Sequence, residues 1–234
     1  MPVPIQTKAW PQRPWTAAAT LLLLAVISQM SCYPTRPSFT PLPPQVKSIE
    51  GYASLRLTRE EGTIKSRFSF LFLLPGQGRF DIYDPLGRAV SSLFIEENAA
   101  LLVLPSKKIF WRAAREEAMS KLLGFALSPQ EMTSILSGKL EDLSGWDLDK
   151  DGQGRIVSGR REALRFEVRQ FFGASRLPRL LALSSSGDRG SLKILRLNYN
   201  QPLKKDAFRP SFLEDKNYSA ATWTEIEKWL RHED

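Results

Sequence analysis

Between Ile64 and Leu74, five of the six even-numbered positions are apolar, Ser66 being the exception, while the odd positions open with Lys65, Arg67 and Ser69. A period of two gathers one set of side chains on one face of an extended chain, and a helix cannot bury that pattern. The alternation returns at Leu164, Phe166 and Val168 against Arg165, Glu167 and Arg169. Such stretches predict antiparallel strands with one buried face. Further strands are predicted over 51–58, 79–84, 88–96, 99–104, 108–112, 154–159, 178–184 and 191–199. Turn chemistry separates them: Pro75-Gly-Gln-Gly78, Asp84-Pro-Leu-Gly87, Asp151-Gly-Gln-Gly154 and Ser186-Gly-Asp188.

Two short helices interrupt the strands. Residues 115–123 end at Gly124, a left-handed cap by type, and carry an apolar stripe of Met119, Leu122 and Leu123. Ser128-Pro-Gln-Glu131 is a capping box with proline at the first helical position, opening a helix that stops at Gly138 and carries Met132, Ile135 and Leu136. A second capping box, Thr222 to Glu225, starts a C-terminal helix with Ile226, Trp229 and Leu230 on one face, and residues 200–221 read as irregular. A long antiparallel sheet with few helices must curl or pack on something. The economical arrangement is one sheet wrapped round two inserted helices, with Phe68, Phe70, Phe72 and Phe166 facing the interior. Those rings form either plain core or the lining of a cavity.

The chain has 234 residues, one cysteine and one histidine. That length suits one domain with appendages. A single cysteine excludes intrachain disulfides and cysteine-cluster metal sites, and the only histidine, His232, is the third residue from the C-terminal end. Ser-His, Cys-His and His-metal chemistry are largely excluded, so a catalyst is not expected and no cofactor is implied. The acidic pairs Glu60-Glu61, Glu96-Glu97 and Glu116-Glu117 are sequence neighbours, which point to opposite faces of a strand. No P-loop or Gly-x-Ser-x-Gly is present. Asp147-Leu-Asp-Lys-Asp-Gly152 copies the first half of a calcium loop, but Ser158 stands where the bidentate glutamate belongs, so a solvated hairpin turn is expected instead. The basic pairs at 107–108, 160–161 and 204–205 are scattered, without a nucleic-acid motif.

The first 31 residues carry Lys8 and Arg13, no acidic residue, and the apolar run Ala17–Ile27. Eleven residues are too few to span a bilayer as a helix, and they match the hydrophobic region of an export signal. The lone thiol follows at Cys32. A cysteine in that place reads as a bacterial lipoprotein signal, with 1–31 removed and Cys32 diacylated; an ordinary signal peptide with an incidental cysteine is the other reading. Gln29 stands where such signals usually carry Leu, Val or Ile. Removing Lys8 and Arg13 takes the formal charge from +8 to +6. Residues 32–48 then form the lipidated cysteine and a proline-rich, semi-rigid stalk.

Several local patterns recur in one order: Ser66-Arg-Phe-Ser-Phe70, Arg79-Phe-Asp-Ile-Tyr-Asp-Pro-Leu-Gly87, Glu117-Ala-Met-Ser-Lys-Leu-Leu-Gly124, Ile135-Leu-Ser-Gly138, Leu177-Pro-Arg-Leu-Leu-Ala-Leu183, Leu192-Lys-Ile194 and Asn198-Tyr199. Over residues 49–200 this resembles LolB, the outer-membrane lipoprotein receptor of the bacterial lipoprotein-sorting pathway. The resemblance implies a mainly β (α+β) fold: a half-open antiparallel β-barrel with short helices forming a lid or plug over a hydrophobic cavity. It implies a cavity lined by Phe68, Phe70, Phe72, Phe80, Ile82, Met119, Leu122, Leu123, Met132, Ile135, Leu136 and Phe166. It also implies a membrane-insertion loop at Pro85, Leu86 and Gly87. Acylated lipoproteins, a LolA-like periplasmic carrier and membrane lipid are the implied partners, and nucleic acid is not among them. The implied location is the periplasmic face of the outer membrane.

Leu86 is also unusual by itself, because Pro85 and Gly87 suit a tight turn and place a large aliphatic at its tip. It either meets a bilayer surface or packs back on its own domain. Residues 201–234 form a C-terminal extension with an amphipathic helix that the resemblance does not cover. The competing reading is an anchored structural lipoprotein that keeps the fold, has a filled core and braces an envelope complex through Trp223 and Trp229.

Overall fold

The computed structural model of the chain describes residues 38–60, 62–139, 143–210 and 217–230. The export-signal segment, Cys32, His232 and the first part of the stalk lie outside the described residues. Thirteen strands form one sheet: β1 (Ser38–Phe39), β2 (Ser48–Arg59), β3 (Gly62–Leu73), β4 (Gln77–Tyr83), β5 (Ala89–Ile95), β6 (Ala99–Leu104), β7 (Ile109–Ala114), β8 (Asp147–Lys150), β9 (Ile156–Arg161), β10 (Leu164–Phe171), β11 (Pro178–Ser185), β12 (Asp188–Tyr199) and β13 (Ser219–Ala220). Among the described residues three helices accompany them: α1 (Arg115–Leu123), α2 (Pro129–Ser137) and α3 (Trp223–Leu230). The strand order is β13-β7-β6-β5-β4-β3-β2-β12-β11-β10-β9-β8, with β1 beside β12. All pairings are antiparallel except the two short ones, β1 with β12 and β13 with β7. The expected architecture, an open antiparallel sheet curled round helices, is the one found.

The period-two pattern does what it predicts. Phe68, Phe70 and Phe72 of β3 are buried on one face and pack ring to ring with Phe80 of β4, at centroid distances of 5.3 to 6.3 Å. Close packing there depends on a missing side chain. Gly51 of β2 is the cross-strand partner of Phe70, and a Cβ at that position would lie 2.3 Å from the Phe70 ring. Gly159 of β9 faces Phe166 of β10 in the same relation, again at 2.3 Å.

α1 and α2 lie between β7 and β8 in sequence; α1 packs on β6 and β7, and α2 on β11. They therefore reach from one arm of the curled sheet to the other. α2 opens with its predicted capping box: Ser128 Oγ accepts from Glu131 N at 3.1 Å, and Glu131 Oε2 accepts from Ser128 N at 2.9 Å. Glu131 is itself buried. Its other oxygen accepts from Trp146 Nε1 at 3.0 Å and is ion-paired with Arg161, so the carboxylate has the partners a buried charge requires. At the other end of α2, Tyr199 Oη donates to Leu136 O at 3.0 Å, satisfying one of the carbonyls a helix terminus leaves unpaired.

Two segments differ from expectation. From Ser38 onward the proline-rich stretch is docked on the domain: β1 runs along β12, Val46 is buried, and Asn200 Oδ1 accepts from the Lys47 and Ser48 amides. The composition of 32–48 indicated a spacer, and proline density does not exclude docking by backbone hydrogen bonds. Residues 200–221, read as irregular, contain β13, whose Ser219 N and Ala221 N donate to Lys108 O and Phe110 O. A two-residue strand is too short to leave a period in the sequence. The Asp147–Gly152 stretch is a hairpin, as expected. Asp151 Oδ1 accepts from the Gln153 and Arg155 amides, while Asp149 accepts from Ser158.

Candidate functional site

A cavity of about 420 Å³ opens beside the β4–β5 turn. Its walls come from five strands and two helices. β2 contributes Leu55, Leu57 and Arg59, and β3 contributes Ile64, Lys65 and Ser66. The end of β4 and its turn supply Ile82, Tyr83, Asp84 and Pro85; β5 adds Val90. Leu104, Ser106 and Lys107 come from the end of β6 and the turn after it, Lys121 and Leu122 from α1, and Trp223, Glu227, Trp229 and Leu230 from α3. Apolar walls with a few polar groups at the mouth are the usual make-up of a small-molecule site, and the volume lies within the usual range.

The sequence-derived cavity set divides sharply. Ile82 and Leu122 are on the cavity wall, and Pro85 of the expected insertion loop joins them there. Phe68, Phe70, Phe72, Phe80, Met119, Met132, Ile135, Leu136 and Phe166 are not: they are buried in a closed core. Leu123, Phe68 and Met132 border only a residual void of about 10 Å³. The physical reason is the glycine-backed ring stacking described above, which fills that half of the barrel. Periodicity reports which face of a strand is inward, not which part of that face is left uncovered.

Residues that line the cavity without having been singled out for it are Leu55, Leu57, Ile64, Val90 and Leu104, together with the α3 residues Trp223, Trp229 and Leu230. The apolar face of α3 was visible in the sequence; its partner was not. α3 packs on β7, with Ile226 buried and Trp223 4.8 Å from Trp111, centroid to centroid. The C-terminal extension is thus a wall of the cavity.

The turn that carries Pro85, Leu86 and Gly87 is rigidly built. Gly87 N donates to Asp84 O, Asp84 N donates to Arg88 O, and Gly87 takes the left-handed conformation at φ 80°. Asp84 Oδ1 accepts from Arg88 N at 2.9 Å and its Oδ2 from Arg88 Nε at 2.7 Å. These bonds, the Arg88 backbone amide above all, hold the Asp84 carboxyl below the usual carboxylate range. Leu86 is 78% exposed, far more than any other large apolar side chain among the described residues. It does not fold back on its own domain. Ile64, the next most exposed at 48%, belongs to the cavity mouth.

Among the described residues no group of three metal-ligating side chains converges, and no helix is long and apolar enough to cross a membrane.

No protein-family model and no curated protein matches the chain by sequence. Solved structures do match. A DUF1329 family protein from Desulfovibrio piger aligns with a TM-score of 0.51 at 10% identity, covering 84% of this chain and 98% of its own. A LolA superfamily protein from Nitrosomonas europaea aligns with a TM-score of 0.51 at 9% identity, covering 73% and 94%. A domain assigned to outer membrane lipoprotein sorting in Vibrio parahaemolyticus aligns with a TM-score of 0.51 at 10% identity, covering 72% and 92%. At such identities the likeness is one of fold, and the fold is the LolA type.

Proposed function

We propose that this chain is a LolB-like receptor, anchored through Cys32 to the periplasmic face of the outer membrane. It takes lipoprotein acyl chains into its cavity and passes them to the bilayer without catalysis. One observation carries the reading: Pro85 lines the cavity, and the next residue, Leu86, projects into solvent. An apolar tip directly at the mouth of an apolar cavity is what delivery to a lipid surface requires. A LolA-like carrier is the donor that this scheme calls for.

The energetics suit a handover. Each buried methylene gains about 0.8 kcal/mol, so about ten of them gain about 8 kcal/mol, which corresponds to micromolar affinity. A bilayer accepts the whole chain and so wins at the last step. The basic mature domain would add attraction to anionic headgroups. A second reading, an anchored scaffold with no transfer activity, draws on the closed aromatic core around Phe72 and Phe80.

The test is a two-stage transfer. Full-length protein is offered an acylated lipoprotein on a LolA-like carrier, and liposomes are added afterwards, with wild type and Leu86→Glu side by side. The expected result is uptake by both forms and delivery by wild type alone. Uptake by neither overturns the receptor reading and leaves the scaffold.

A further inference from the structure

The rim of the cavity has a charge pattern that a purely apolar cargo does not need. Four cations from four separate elements reach it: Arg59 at the end of β2, Lys65 on β3, Lys107 in the β6–β7 turn and Lys121 on α1. Two carboxylates stand among them, Asp84 and Glu227. Asp84 is engaged by Arg88 outside the lining at 2.7 Å, and Arg59 by Asp188 at 3.2 Å. Three lysines against the one remaining carboxylate, Glu227, leave the mouth net positive, while Leu55, Leu57, Val90 and Leu104 keep the walls behind it apolar. Two lysines are also held in place, Lys107 with Nζ 3.5 Å from the Trp229 ring centroid and Lys121 with Nζ 5.5 Å from that of Trp223. Both tryptophans are cavity residues, so the charges are fixed at the entrance instead of sweeping through solvent.

We infer that the cavity also takes a free long-chain amphiphile with an anionic head, its tail between Leu55 and Leu104 and its head among Lys65, Lys107 and Lys121. This rests on the acyl-cavity reading and adds a ligand to it. Charge complementarity selects the occupant. A neutral alcohol of the same length gains the walls but not the rim, and a cationic amphiphile is repelled by it.

The experiment titrates purified full-length protein with decanoate, decanol and decylamine at pH 8, followed by calorimetry and tryptophan fluorescence. Decanoate is expected to bind at least about ten-fold tighter than decylamine, with decanol between them. Raising the salt should narrow the gap, because the selecting charges are at a solvent-facing rim. Lys65→Gln should weaken decanoate by about three-fold and leave decanol unchanged, and Lys65→Arg should restore it. Lys65 touches neither tryptophan ring contact, so this variant separates head-group recognition from the seating of α3. Equal binding of all three amphiphiles, or an equal loss of decanoate and decanol in Lys65→Gln, overturns the inference while leaving the acyl cavity intact. Binding of none of them overturns the cavity reading as well.

Discussion

The Lys107 ammonium stands 3.5 Å from the ring centroid of Trp229, joining the β6–β7 turn to the helix that walls the cavity. Only Ile226 anchors α3 completely in the core, and β13, two residues long, precedes it. A cation over an exposed aromatic face contributes about 0.5–1 kcal/mol, or about two- to five-fold in an opening equilibrium. Lys107→Gln is therefore expected to speed hydrogen exchange of the last turn of α3 by about that factor, with α2 unaffected. Unchanged protection would mean that Trp223 on Trp111 holds the helix by itself.

Delivery should depend on Asp84 as well as on Leu86. Asp84 fixes the turn through the Arg88 amide and guanidinium, and the same bonds lower its pKa. A carboxyl with a lowered folded value stabilises its turn fully above the usual aspartate value of about 4, and that contribution disappears as pH falls through the lowered value. Asp84→Ala should thus retain cargo uptake and lose delivery by a few-fold at neutral pH. Wild-type delivery should hold from pH 7 to about 4 and decline only below that. A steady decline through pH 6 would point to a different group.

Much of this was legible in the chain itself. The alternation at 64–74 and 164–172 placed β3 and β10, and the capping boxes at Ser128 and Thr222 placed the starts of α2 and α3. The tip position of Leu86 followed from Pro85 and Gly87. The location of the cavity did not follow. It depends on where Phe70 and Phe166 find glycine partners across the sheet, and register of that kind is a tertiary property. Nor could the apolar face of α3 announce that it closes onto Leu104 and Leu57, because an amphipathic helix has the same pattern whatever surface covers it.

The Gly51–Phe70 pair gives a direct check on the packed half of the barrel. A methyl at 51 would meet the Phe70 ring at 2.3 Å and the Arg196 carbonyl at 2.6 Å. Overpacking of this kind costs about 1–3 kcal/mol. Gly51→Ala should lower Tm by about 2–10 °C for a domain of this size. Adding Phe70→Leu should recover only part of the loss, since the backbone carbonyl remains in the way. Full recovery would assign the whole strain to the ring.

Tyr199 joins the end of β12 to the end of α2, and its phenol is buried against Leu136 O. Removing the hydroxyl leaves that carbonyl unpaired, so Tyr199→Phe should cost about 1–3 kcal/mol at neutral pH in denaturant unfolding. Burial also pushes the phenol pKa well above its ordinary value of 10.0. A raised folded value means the stabilisation is complete below about pH 10 and lost as the unfolded state ionises above it, at up to about 1.4 kcal/mol per pH unit. Wild type and Tyr199→Phe should therefore differ most below pH 10, and the gap should narrow by about 1.4 kcal/mol by pH 11, because the variant has no phenol at this site to ionise on unfolding. Parallel stability curves from pH 8 to 11 would show that the hydroxyl reaches solvent and that α2 is held to β12 by other contacts.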